Sequence, residues 1–101
     1  MSKNNFIITY RIRSDETYQA RYDSFIRTLK ASGDQKFWNE TSSFFALGAK
    51  MTAQELCYDL CNKTGFNCAT DMVVVLDTSN RELASSGVIQ DPELLSDCLG
   101  F

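Results

Sequence analysis

Two arginines, Arg11 and Arg13, stand two residues apart at the end of an alternating stretch, FIITYRIR, that spans residues 6–13. Phe6, Ile8, Tyr10 and Ile12 alternate with Ile7, Thr9, Arg11 and Arg13, so a strand here projects both guanidinium groups from one face. A guanidinium is permanently cationic and pairs bidentately with phosphate or carboxylate, which makes Arg11 and Arg13 candidate anion contacts. The competing use is a salt bridge or a solvated strand end, and Asp15 and Glu16 stand close enough in sequence to supply the partner. The other chemistry-bearing residues are four cysteines, Cys57, Cys61, Cys68 and Cys98, with no histidine anywhere, which excludes mixed Cys/His zinc sites. Cys57 and Cys61 have the spacing of a zinc-ligand pair, but that spacing is also one helical turn, and no second close pair follows. We read the four as reduced, partly buried thiols. Neither Cys68 nor Cys98 has a basic neighbour in sequence to lower its pKa, so nothing recommends a thiol-based regulator.

A chain of 101 residues, 44% hydrophobic and 23% charged with one proline, is long enough for one core and too apolar to stay disordered. It reads as one domain over residues 1–101, with a core at 5–80 and a C-terminal extension at 81–101. No apolar run reaches the roughly 20 residues of a membrane span, and MSKNNFIITY lacks the pattern of a signal peptide, so a cytoplasmic location is the expectation. The net charge of −3 is unevenly placed: residues 1–50 carry +3 and residues 51–101 carry −6. That asymmetry would mark an anion-binding face on the first half, unless folding mixes the halves. An acidic total is not the usual footprint of a nucleic-acid-binding domain.

These residues must be positioned by recognisable elements. After the first strand, SDETYQARYDSFIRTLKASG predicts a helix: Ser14 or Asp15 caps it, Glu16 sits in its first turn, and Tyr18, Tyr22, Phe25, Ile26 and Leu29 line one face. Lys30 closes the last turn and Gly33 supplies a left-handed stop. QKFWNETSSFFALG predicts two strands, about 35–40 and 43–48, with the only tryptophan, Trp38, in the first. Thr52 and Glu55 form a capping box for a second helix whose apolar stripe is Ala53, Leu56, Cys57, Leu60 and Cys61 and whose end is Gly65. Met72 to Leu76 are apolar without alternation, so that strand is expected to be buried on both faces. The remainder predicts a turn, a short strand at 86–90 and a short helix capped by Asp91 with Pro92 at its first position.

The order β-α-β-β-α-β plus an extension is that of an α+β, ferredoxin-like fold: a four-stranded antiparallel sheet with both helices on one face. The other face would carry Ile7, Thr9, Arg11, alternate aromatics of the middle strands and half of Val73–Val75. An apolar face of this size asks for a cover, so we expect a homodimer, formed through the open sheet face or through the C-terminal extension.

With FIITYRI, the aromatic and basic first helix, FWNETSSFFAL, the capped MTAQEL helix and MVVVLDTS in place, residues 5 to about 80 resemble the small CRISPR-associated adaptation subunits and the VapD-like toxins. The resemblance implies a homodimer and, in active members, metal-dependent cleavage of RNA or DNA by way of an aspartate at the end of the first strand. That place, the residue after Tyr10, is Arg11 here, and a guanidinium cannot bind Mg²⁺. The expectation is therefore a non-catalytic dimeric binding or assembly module without a cofactor, associated with nucleic acid or another acidic partner. The alternative is a nuclease with displaced carboxylates, Asp15 and Asp77, holding Mg²⁺.

Overall fold

The computed structural model describes residues 2–101. The elements run β1 (Asn4–Arg11), α1 (Tyr18–Ser32), β2 (Phe37–Trp38), β3 (Phe44–Ala49), α2 (Ala53–Asn62), β4 (Met72–Asp77), β5 (Glu82–Gly87) and α3 (Pro92–Leu99). They build an α+β structure around one sheet of order β2-β3-β1-β4-β5, antiparallel at every pairing. Five strands stand where four were expected. The fifth comes from the extension, at Glu82–Gly87 rather than 86–90, and it pairs with β4 of its own chain.

Alternation decides the two faces. Phe6, Ile8 and Tyr10 of β1, Phe45 and Leu47 of β3, and Val73 and Val75 of β4 are buried against Phe25 and Leu29 of α1 and Leu56, Cys57 and Leu60 of α2. Each such apolar side chain removed from water contributes about 1.5–3 kcal/mol, so this layer is the main source of stability. Tyr10 packs its ring on Phe25 at 4.9 Å between centroids, and burial beside the Tyr22 hydroxyl raises its pKa well above the ordinary value. β4 was expected to be buried on both faces. Instead Val73, Val75 and Asp77 are buried while Met72, Val74 and Leu76 are half-buried, because helices cover one side only.

Three helix ends differ from expectation. The α1 helix starts one turn late: the Asp15 carboxylate accepts from the Thr17 N–H at 2.9 Å and hydroxyl at 2.7 Å, organising a turn that leaves Asp15 and Glu16 outside the helix. Gly33 has φ −87°, so it is no left-handed stop; Asp34 and Gln35, at φ 55° and 62°, make that turn instead. What Gly33 provides is room, since a Cβ there would lie 2.9 Å from the Lys36 carbonyl oxygen and 3.0 Å from Leu47 Cβ. The α2 start is as expected, with Thr52 Oγ1 accepting from Glu55 N at 3.1 Å and Glu55 Oε1 accepting from Thr52 N at 2.8 Å, but the helix ends at Asn62, ahead of Gly65. Asp91 caps α3 with Pro92 in its first turn.

The α3 helix buries no residue. Its end is held by Arg81, whose Nη2 donates to the Gly100 carbonyl at 2.7 Å while the guanidinium lies 5.0 Å from the centre of the Phe101 ring. No helix among the described residues is long and apolar enough to cross a membrane.

Candidate anion-binding face

Arg11 ends β1 opposite Met72, on the face away from α1 and α2, and the alternation continues through buried Ile12 to exposed Arg13. Among the described residues, neither guanidinium meets a carboxylate. The partner that sequence proximity offered, Asp15, is engaged elsewhere: Thr17 holds it, and Arg21 Nη2 approaches its Oδ2 at 3.3 Å. Those bonds, Thr17 foremost and Arg21 after it, hold the Asp15 carboxyl below the usual carboxylate range.

Arg21 belongs to a closed network that the sequence reading did not single out. Its Nη1 donates to Asp71 Oδ2, its Nε donates to Thr17 Oγ1 at 2.9 Å, and its Nη2 donates to the Arg13 carbonyl at 2.9 Å. Asp71 is fully buried. Its Oδ1 accepts from Arg13 N at 2.8 Å and Thr70 Oγ1 at 3.1 Å, and its Oδ2 also accepts from Asn67 N at 2.9 Å. All four acceptor positions are thus filled, leaving none for a ligand. The network ties the end of β1, α1 and the 67–71 loop together, and in doing so fixes the backbone from which Arg13 projects. The available signal was TD directly ahead of an apolar strand, which by itself says only turn or cap.

Asp15 and Asp77 do not form a site. Asp77 lies opposite Phe6 and Arg11 lies opposite Met72, so Asp77 is at one end of β1 and Asp15 follows the other. Five strand steps separate those ends, roughly 17 Å. Asp77 is buried and accepts from Ser79 N at 2.9 Å, Asn80 N at 3.0 Å and Asn80 Nδ2 at 2.8 Å, which makes it the organiser of the β4–β5 turn. Two of the acids of the second half are therefore inside the molecule, and the negative surface is smaller than the charge count suggested.

Cys57 and Cys61 share a turn of α2, with Cys57 buried and Cys61 half-buried, while Cys68 and Cys98 are exposed and all four are free. Burial foremost, and the adjacent Cys61 thiol, push the Cys57 thiol up to about 12, so it stays protonated at neutral pH. No cluster of three or more potential metal ligands occurs among the described residues.

A second feature of the same face lies at the other end of β1. The outward residues of β3 shrink along the strand from Phe44 to Ala46 to Gly48, and register sets Ala46 between Trp38 and Ile7 and Gly48 beside Asn5. The taper opens a groove of about 540 Å³ whose lining includes Lys3, Asn5, Ile7, Lys36 and Trp38. Lys3 lies flat over Gly48, where an added Cβ would come within 2.6 Å of Lys3 Cδ. Trp38 is 43% exposed and lies perpendicular to Phe44, 5.6 Å between centroids at 86°.

Compared with known proteins, the chain matches no family model, no curated protein and no solved structure.

Proposed function

We propose that the chain is a non-catalytic, dimeric binding module of ferredoxin-like fold whose partner is anionic, with nucleic acid the partner class. The element order through β4 and the neighbours β2-β3-β1-β4 fit that fold, and β5 is then an addition at the β4 edge. The resemblance to the CRISPR-associated adaptation subunits and VapD-like toxins supports the same frame. The observation that carries the reading is the state of Arg11 and Arg13: both are exposed and without a carboxylate partner, although Asp15 is adjacent in sequence and already taken. Two guanidinium groups presented from one strand end suit phosphate oxygens.

Arg11 occupies the position where the resemblance puts a metal-binding aspartate, and the two displaced carboxylates sit at opposite ends of the sheet. Dimer formation is supported by the extension, which holds three exposed large apolar side chains, Val88, Leu94 and Phe101. Contact there uses the β4–β5 side and leaves the β2-β3-β1 side free. The test is incubation of single-stranded RNA and DNA with the protein and Mg²⁺ or Mn²⁺. The nucleic acids remain intact and are bound; metal-dependent cleavage that Asp15→Ala or Asp77→Ala abolishes would overturn the reading.

A further inference from the structure

We infer that the groove at Trp38 is a stacking site for a base of single-stranded nucleic acid, with Lys3 and Lys36 contacting the flanking phosphates. The inference deepens the proposed binding function and rests on it. Three independent features of the groove agree. Its aromatic is exposed and packs perpendicular to Phe44, a contact that limits how far the ring must be ordered when a base arrives. Its floor beside Trp38 is Ala46, a small side chain that leaves depth for a planar group, and at Gly48 the missing side chain lets Lys3 lie along the groove. Its cations, Lys3 and Lys36, have no carboxylate within ion-pair distance among the described residues, and no acid lines the groove.

Charge complementarity names the occupant. A second copy of this chain carries a net charge of −3 but would bring a mixed surface, whereas a polynucleotide supplies aromatic planes and phosphates in alternation. Stacking on a protein aromatic beside backbone-tracking cations is the general way single strands are held without sequence readout. The distances are suitable as well. Lys3, directly ahead of β1, and Arg11, its last residue, are eight residue steps or roughly 26 Å apart. A strand running along β1 would pass exposed Thr9 and meet cations at both ends, Lys3 and Lys36 at one and Arg11 and Arg13 at the other. A duplex offers no free base plane to Trp38 and is excluded from the groove.

Trp38 is the only tryptophan, so intrinsic fluorescence reports this one site. The intact protein is titrated with single-stranded oligothymidylate about a dozen nucleotides long, and with a duplex of equal length. The single strand quenches Trp38 and the duplex does not. By anisotropy of the labelled strand, Trp38→Ala weakens binding about 5- to 100-fold. Lys3→Ala and Lys36→Ala each lower the magnitude of the log–log salt slope by about 0.7. Gly48→Ala, which displaces the Lys3 side chain, weakens binding without lowering the melting temperature. Binding that needs Arg11 and Arg13 but neither quenches Trp38 nor responds to Trp38→Ala overturns the groove and leaves the proposed function standing. Failure to bind any nucleic acid overturns both. Trp38 emission that changes with protein concentration alone assigns the groove to a second copy and overturns the inference.

Discussion

The Asp71 carboxylate determines much of what the neighbouring residues are free to do. By taking Arg21 and the Arg13 N–H, it fixes the end of β1, and Arg21 in turn occupies Asp15, so Arg11 and Arg13 are left facing solvent. Removing one partner of a buried ion pair leaves the other uncompensated, so Asp71→Ala should cost about 3–5 kcal/mol in urea unfolding, far more than Arg11→Ala. Of these residues, Arg11 and Arg13 were legible in sequence because period-two alternation is local. Asp71 and Arg21 were not, because their partnership spans fifty positions and neither type is distinctive alone. The thiols divide by environment: Cys68 and Cys98 should react with a thiol reagent at once, and Cys57 only on unfolding. Because the Cys57 pKa is raised to about 12 from 9.0, the folded state retains a proton that the unfolded chain loses. Stability from this group is complete below about pH 9 and is lost as pH rises toward 12, and raised Tyr10 acts in the same direction. Melting temperatures measured across that alkaline range should fall, and fall less in Cys57→Ala.

The start of α2 and strands β1, β3 and β4 were readable to within a residue or two, since capping box, alternation and β-branched runs are local signals. Strand β2 shrank to two residues because Asp34 and Gln35 spend the preceding stretch on a left-handed turn. Strand β5 was misplaced for a related reason: ELASSG has little apolar content, and its strand state comes from pairing with β4 rather than from its own composition. Its last residue makes that pairing possible. Gly87 has φ +99°, and a Cβ there would stand 1.9 Å from the Asp71 carbonyl oxygen, which accepts from Val88 N at 2.9 Å. Gly87→Ala should therefore destabilise by more than 2 kcal/mol, roughly, or shift β5 in register, both visible in thermal melts and amide exchange. Gly48→Ala in β3 meets only the flexible Lys3 side chain and should be neutral or stabilising by up to about 1 kcal/mol.

At the scale of the fold, cations and exposed apolar side chains occupy different places. Lys3 and Lys36, from the first half, stand near one end of β1 and Arg11 and Arg13 at the other, while the extension adds apolar surface beyond β4. Under the proposed function the first region binds and the second assembles. Light scattering during size exclusion should give a dimer, and Leu94→Glu with Phe101→Glu should give a folded monomer; a wild-type monomer at high concentration would contradict the assembly role. In the proposed function Arg11 and Arg13 meet a polyanion. The most direct test is the anisotropy of a labelled single strand, titrated over a salt series with the wild-type protein and with Arg11→Ala/Arg13→Ala. The double variant should bind at least about tenfold more weakly, with the magnitude of the salt slope reduced by about 1.4 for two lost phosphate contacts. Equal affinity and an unchanged slope would contradict it.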